Sequence, residues 1–278
     1  RKELLEHVVG KQNLCLGIGR QGNAVQDPIW NLLYISKDPI DSNIFRRGGI
    51  NVFPLWLYPP SDNLDLKEHK YPNLSQSFLN SFVAAIDVPQ NNESGIFSFI
   101  KPEEFFYYIY AVLSSRTYRI RYADFLKIDF PRIPLPRTLK FFLLLSQFGE
   151  GIISRTLMRS KKLANYSTSI VGNKNLEVEK VSYSSETIWV DKAKTYGFSG
   201  VSEQVWEYKV GGFQVCEKWL KDRGPKKGNT GLTLNDDDIE HYQKILAAIS
   251  GTIQIIVEID ETIEIHGGWP DAFIAADS

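Results

Sequence analysis

Three prolines lie between positions 131 and 136 of this 278-residue chain, inside its most helical part. Proline fixes φ and has no amide hydrogen, so this segment is predicted to run extended, in a polyproline-like form, between two helices. The first helix is predicted from Glu103 to about Leu126, because Pro102 and the acids after it suit a helix start. The second is predicted to begin near Arg137 and to carry an apolar face.

Short runs of β-branched and aromatic residues surround this helical middle. Within one of them, Pro54 restricts the strand to a sheet edge or interrupts it. A long last helix is predicted from Asp236 to about Glu261, with Asn235 or Asp236 as its cap. We therefore predict an α+β fold with a mixed β-sheet region, helices concentrated in the middle and a long C-terminal helix. The strands are predicted at 13–18, 30–36, 50–58, 176–183, 187–190 and 205–210.

Charge is distributed unevenly along the chain, although the net charge is only −1. Residues 101–165 contain 12 Lys and Arg against 5 Asp and Glu, whereas residues 233–278 contain 1 against 10. A basic middle beside an acidic end indicates one surface that attracts a polyanion and another that repels it. The alternative is a solvated charge pattern with no partner, and charge by itself leaves both interpretations open.

The segment Ser114–Tyr122 combines arginines with tyrosines. On a single helix, Arg116, Arg119 and Tyr122 would follow one another at intervals of three residues and form a cationic, aromatic patch. Arginine forks bind both phosphate oxygens and guanine edges, which makes the patch a candidate nucleic-acid surface. The same side chains could instead cover a seam between helices with their stems, and the sequence favours neither reading.

Asp191, Glu207 and Lys209 have the spacing of many metal-dependent nucleases, in which two carboxylates hold the metal and a lysine supports the attacking water. The same spacing arises by chance on ordinary strands. The string Gly17–Gly22 matches the dinucleotide-binding glycine pattern, but the proline at position 28 follows too closely for the helix that this mechanism needs. We therefore assign no nucleotide site, and we recognise no complete catalytic centre.

Two cysteines, Cys15 and Cys216, are too few for a disulfide framework or a zinc site, which fits a reducing compartment such as the cytoplasm. The longest uncharged apolar runs are far shorter than a membrane span. The chain begins at Arg1 and its only methionine is Met158, so we expect it to be a piece of a longer protein.

Six stretches spread over nearly the whole chain carry distinctive residue combinations: Phe53–Pro59, Glu103–Arg119, Arg121–Pro136, Trp206–Leu220, Asp237–Ile245 and His266–Pro270. Together they resemble the C-terminal specificity domain of type ISP restriction-modification enzymes. A helix bearing Ser-x-x-x-Arg, a Pro-Leu-Pro crossing and a second helix are also similar to the target-recognition units of type I specificity subunits. None of these stretches is a catalytic signature.

The resemblance implies a non-catalytic module that recognises double-stranded DNA. The module is expected to extend over 1–278 as a single DNA specificity domain, or as two lobes. The lobes would be 1–137 for recognition, and 138–278 as a strand-rich segment plus a helical lobe. In such enzymes the same polypeptide carries nuclease, ATP-driven translocase and adenine methyltransferase parts. We thus expect no cofactor in this chain, with S-adenosylmethionine, ATP and magnesium used by the other parts. The expected partners are double-stranded DNA and the methyltransferase domain, with no membrane.

Such a module needs forked cations or amides for base edges and further polar groups for phosphates. The predicted DNA-binding residues are the loop groups Arg20, Gln21, Asn43, Arg46 and Arg47, the helix arginines Arg116, Arg119 and Arg121, and the lysines Lys161, Lys162, Lys192, Lys194, Lys226 and Lys227. Two other hypotheses stay open. One is a metal-dependent nuclease that uses Asp191, Glu207 and Lys209, and the other is a protein-docking module inside the parent enzyme.

Overall fold

The computed structural model describes residues 2–19, 29–41, 43–45, 49–59, 70–86, 96–164, 167–172, 176–226 and 228–274. Its helices are α1 (Lys2–Glu6), α2 (Gln76–Ile86), α3 (Pro102–Ser114), α4 (Arg116–Arg121), α5 (Ala123–Ile128), α6 (Leu139–Thr156), α7 (Glu203–Trp206), α8 (Val215–Lys221) and α9 (Asp236–Ile265), with 3-10 turns at Ile96–Ser98 and Lys161–Ala164. The predicted α+β class and the long C-terminal helix are confirmed.

The strands are short, and every pairing among the described ones is antiparallel. They are β1 (Cys15–Gly19), β2 (Leu33–Ser36), β3 (Ile50–Pro54), β4 (Trp56–Leu57), β5 (Tyr71–Pro72), β6 (Leu135–Pro136), β7 (Ser169–Val171), β8 (Leu176–Glu177), β9 (Ser182–Ser184), β10 (Thr187–Trp189), β11 (Gly197–Ser199), β12 (Lys209–Val210), β13 (Phe213–Gln214), β14 (Thr233–Leu234) and β15 (Phe273–Ile274). Two larger sheets have the orders β2-β1-β3 and β7-β11-β10-β9. As predicted, β3 lies at an edge and ends at Pro54.

The chain forms two compact units, one of residues 1–153 with 255–278 and one of residues 154–254. The boundaries fall inside α6 and α9 rather than in loops. They differ from the lobes 1–137 and 138–278 considered from the sequence, because the last helix contributes to the cores of both units. In α9, for example, Ile245 belongs to the core of the second unit, while Ile263 is buried in the first.

Aromatic rings from three helices form the centre of the first unit. The ring of Phe82 in α2 lies 4.8 Å from that of Phe105 in α3 and 4.7 Å from that of Phe142 in α6. Edge-to-face pairs at such distances add to the stability gained from burial alone. The predicted proline-rich crossing leads into α6, and Tyr108 stabilises it by donating its hydroxyl hydrogen to the Pro134 carbonyl at 2.7 Å.

The single helix predicted from Glu103 to Leu126 was wrong, because the segment breaks into α3, α4 and α5. Ser115 ends α3 and caps α4, its hydroxyl accepting the amide of Tyr118 at 3.0 Å. Serine competes with helical hydrogen bonding in this way, and it therefore favours helix starts over helix interiors. A second turn at Tyr122 separates α4 from α5.

The second unit has a core of its own, in which Phe198 packs edge-to-face on Tyr242 at 4.8 Å. The strand predicted at 205–210 was wrong, because Ser202 caps the short helix α7 and only the end of the run joins β12. The cap predicted for the last helix is confirmed, since the Asn235 side-chain oxygen accepts the Asp238 amide at 2.8 Å.

Cys15 and Cys216 are both buried and not disulfide-bonded. Within the described ranges, no helix has the length and apolar character that crossing a membrane would require.

Candidate nucleic-acid interface

The predicted cationic, aromatic patch separates into exposed and packed side chains on α4. Arg116 and Arg121 are exposed, whereas Tyr118 is 2% exposed and donates its hydroxyl hydrogen to the Arg132 carbonyl at 2.8 Å. Burial raises the pKa of Tyr118 above its ordinary value. Arg119 is half-buried: its Nε donates to the Leu113 carbonyl at 2.7 Å, and its guanidinium faces a tryptophan ring. Arg116 and Arg121 are therefore the α4 arginines most open to a ligand.

The start of α4 is held by a carboxylate from the end of α9. Asp260 accepts the hydroxyl hydrogens of Ser115 at 2.5 Å and Thr117 at 2.8 Å. It also accepts the amides of Arg116 at 3.2 Å and Thr117 at 3.3 Å. Trp269 donates its indole N–H to the Thr117 hydroxyl at 2.8 Å. A carboxylate is favourable at the positive end of a helix, so this cluster fixes the position from which Arg116 projects.

In the second unit, residues 191–196 form a tight turn, which we call the lysine turn. Asp191 is 6% exposed and closes it by accepting the Thr195 amide at 3.0 Å, the Thr195 hydroxyl at 2.8 Å and the Tyr196 amide at 3.0 Å. Lys192 and Lys194 project from this turn and are exposed. The Lys194 ammonium also donates to Ser184 at 3.1 Å. The buried acid thus positions two surface cations.

Replacing Asp191 by alanine is expected to lower the free energy of unfolding by about 2 kcal/mol at pH 7, because three donors lose a charged acceptor. Burial acts to raise the pKa of Asp191, but hydrogen bonds from Tyr196 and Thr195 outweigh it and lower the pKa below the ordinary 3.8. The ionised form is therefore the stabilising one. Its contribution is present above pH 3.8 and disappears as the pH falls through the lowered pKa of the folded state.

Urea unfolding of wild type and Asp191→Ala at pH 7 and near pH 3 measures this difference. The difference in the free energy of unfolding between wild type and Asp191→Ala should be smaller at the lower pH. Asp222→Ala is the matched control, since Asp222 is exposed, pairs with Lys218 at 2.6 Å and should contribute less than about 1 kcal/mol. A gap that is independent of pH would contradict the assigned role of Asp191.

Four of the other predicted residues are described by the structure, and all four are exposed. Asn43 is exposed, in a turn where its backbone amide donates to Asp41 Oδ1 at 2.7 Å. Lys161 and Lys162 are exposed on the 3-10 turn after α6, and Lys226 is exposed in the loop after α8. Five predicted residues lie outside the described ranges: Arg20, Gln21, Arg46, Arg47 and Lys227.

The residues of the nuclease hypothesis have structural surroundings that do not favour a metal. The Asp191 carboxylate is occupied by the lysine turn, while Glu207 follows α7 and Lys209 begins β12, both exposed. In the part of the chain that the structure describes, no group of three or more His, Cys, Asp or Glu side chains could hold a metal ion.

One cationic residue that we did not predict, Arg155, lies with Lys162 in the wall of a polar cavity in the second unit. Its guanidinium lies beside Gly251 in α9, far away in sequence. No local pattern connects these two positions. A long-range contact of this kind leaves no signal in the spacing of residues.

Three solved structures have folds similar to this chain. The ATP-dependent type ISP restriction-modification enzyme LlaBIII bound to DNA matches with a TM-score of 0.61 and 20% identity, over 90% of this chain and 16% of that one. A nuclease-deletion mutant of the type ISP enzyme LlaGI, in complex with a DNA substrate mimic, matches with a TM-score of 0.53 and 20% identity. This match covers 92% of this chain and 18% of that one. The DrdV–DNA complex matches with a TM-score of 0.62 and 17% identity, over 89% of this chain and 24% of that one. This chain therefore spans between about a sixth and a quarter of each of these structures.

Residues 1–258 match the family described as the type ISP C-terminal specificity domain. Because the match covers most of the chain, this chain belongs to that family, as the resemblance of its motifs indicated. Among curated proteins, no sequence matches it significantly.

Proposed function

We propose that this chain is the double-stranded DNA recognition module of a multidomain restriction-modification enzyme. The observation that carries this proposal is membership of the specificity-domain family over residues 1–258. The fold that it shares with two type ISP enzymes in complexes with DNA or a DNA mimic supports the same function.

The positions of the exposed cations are compatible with this function. Arg116 and Arg121 project from α4, whose start is fixed by Asp260, so their forks suit base edges or phosphates. Lys192 and Lys194 project from the lysine turn as point charges for phosphates. The second unit contains 15 Lys and Arg against 12 Asp and Glu, a net +3, which favours a polyanion there.

We further propose that the chain has no catalysis of its own and acts beside the methyltransferase domain of its parent polypeptide in the cytoplasm. The enclosed carboxylate of Asp191 supports this view over the nuclease hypothesis. S-adenosylmethionine, ATP and magnesium would serve the other parts of that polypeptide.

The salt dependence of DNA binding tests this function. Fluorescence anisotropy of a labelled duplex, titrated with the chain between about 50 and 200 mM salt, should give a binding constant that falls steeply with salt. Lys192→Gln and Lys194→Gln should each lower the logarithmic slope by about 0.9, the value for one phosphate that is no longer neutralised. Lys180→Gln removes an exposed lysine outside the predicted set and should leave the slope unchanged. Binding that is absent or independent of salt would contradict the proposal.

A further inference from the structure

A cavity of about 280 Å³ lies within the second unit, between the residues that follow α6, the start of α7 and the middle of α9. One water needs only about 10–15 Å³ of such space, so the cavity has room for a tetrahedral anion and its remaining waters. Six polar side chains contribute to its lining: Arg155, Lys162, Ser167, Thr168, Ser202 and Ser250.

The position of Arg155 depends on a glycine. Gly251 lies inside α9, and a Cβ atom there would overlap Arg155 Nε and lie 3.1 Å from its Cδ. The guanidinium therefore lies directly against the helix backbone at the wall of the cavity. Lys162 adds a second, exposed cation from the 3-10 turn.

Three of the hydroxyl groups, on Ser167, Thr168 and Ser202, lie on loops that other contacts hold in place. Gln243, which is 5% exposed, donates its side-chain amide to the Thr168 carbonyl at 2.8 Å. The Ser202 hydroxyl accepts the Val205 amide at 3.4 Å, so its own hydrogen is available to another acceptor. Gly200, with φ of +78°, lets the loop before α7 approach the Ser167 carbonyl, where a Cβ atom would come within 3.2 Å.

The remaining lining strengthens the attraction for an anion. Val201 and Leu246, each 1% exposed, form part of an apolar floor, and charges interact more strongly beside such a surface than in bulk water. The described residues that line the cavity include the two cations Arg155 and Lys162 and no carboxylate, a composition that favours an anion over a cation.

We propose that this cavity binds a phosphate group, with Arg155 and Lys162 supplying charge and the hydroxyl groups of Thr168 and Ser202 supplying hydrogen bonds. A guanidinium fork, an ammonium point charge and neutral hydroxyl groups all donate hydrogen bonds that phosphate oxygens can accept. The group could belong to the backbone of bound DNA or to a free phosphate compound. The first source rests on the proposed function, whereas the site itself does not.

Two variants separate the site from its surroundings. Gly251→Ala displaces the Arg155 guanidinium but should keep α9 folded, because alanine favours a helix and the overlapping atoms belong to a flexible side chain. Lys162→Gln removes the second cation on an exposed position. Lys180→Gln is the control for loss of a surface charge outside the cavity.

In the first arm, inorganic phosphate is compared with chloride at constant ionic strength by thermal unfolding of the full chain. At phosphate concentrations well above the dissociation constant, the Tm of wild type and Lys180→Gln should rise by about 3 °C. The Tm of both cavity variants should rise much less. In the second arm, the salt slope of duplex binding should fall by about 0.9 in both variants if a backbone phosphate occupies the cavity.

A lost phosphate response with an unchanged DNA slope supports the site and identifies a free phosphate compound as its ligand. A reduced slope supports the site with DNA as the source. The proposal is overturned if both cavity variants equal wild type in both arms. Failure of wild type to bind any duplex would contradict the proposed function. The thermal unfolding in phosphate would still show whether the cavity binds a phosphate group.

Discussion

Asp260→Ala should lower the free energy of unfolding by about 3 kcal/mol. The carboxylate accepts hydrogen bonds from two hydroxyl groups, on Ser115 and Thr117, and from two backbone amides at the start of α4. Hydrogen bonds to a charged acceptor contribute about 1.5–3 kcal/mol each, and these four share one acceptor, so their contributions do not add fully. The loss should also weaken DNA binding, because the start of α4 sets the position of Arg116.

Chemical denaturation of Asp260→Ala, Asp260→Asn and Glu261→Ala tests this role. Asparagine keeps one acceptor oxygen and should retain about half of the stabilisation. Glu261 is the neighbouring exposed acid, and its removal should change stability by less than about 0.5 kcal/mol. Equal effects of Asp260→Ala and Glu261→Ala would show that the carboxylate does not hold α4.

Gly149→Ala is expected to have an effect of similar size, a loss of about 3 kcal/mol. Gly149 in α6 faces the backbone of Tyr107 in α3, and a Cβ atom there would overlap the Tyr107 carbonyl. Backbone atoms cannot rotate away, so the two helices must move apart and loosen the packing between Phe105 and Phe142, whose rings lie 5.2 Å apart. Overpacking of this kind outweighs the roughly 1 kcal/mol that alanine gains over glycine in a helix.

Gly251→Ala is the matched control for this substitution. It also replaces a glycine inside a long helix, but the atoms that the new Cβ meets belong to the side chain of Arg155. Its loss of stability should therefore be well below that of Gly149→Ala, because a side chain can shift where a backbone carbonyl cannot. Thermal or urea unfolding of both variants gives the comparison, and a stable Gly149→Ala protein would contradict the close approach of α3 and α6.

Local signals explain the parts of the fold that could be predicted from the sequence. The prolines at 131–136 exclude helix and Pro102 begins α3 through their fixed backbone angles, while Asn235 caps α9 with its side-chain oxygen. The cap at Ser202 was also a local signal. We missed it because the β-branched and aromatic residues after it favoured a strand.

The interruption between α3 and α4 was beyond local reasoning. Ser115 can continue or cap a helix, and the partner that decides between these two states is Asp260, 145 positions later in the chain. The same holds for the candidate interface. Spacing placed Arg116, Arg119 and Tyr122 on one face, but only the tertiary structure separates the exposed Arg116 from Arg119, whose Nε contacts the Leu113 carbonyl.

On the proposed function, α4 and the lysine turn have different tasks. The arginines of α4 have the forked geometry that reads base edges, whereas Lys192 and Lys194 are point charges that contribute mainly salt-dependent affinity. Substitutions in the lysine turn should therefore weaken binding to all duplexes alike. Substitutions of the α4 arginines should reduce the preference among duplexes.

Selection of duplexes from a randomised library by the purified chain tests most directly whether it recognises a DNA sequence. After sequencing of the bound fraction, the wild-type chain should enrich one short motif. The double variant Arg116→Gln, Arg121→Gln should bind DNA in a salt-dependent manner without enriching that motif. A wild-type chain that enriches no motif under conditions where it binds duplex DNA would contradict the claim.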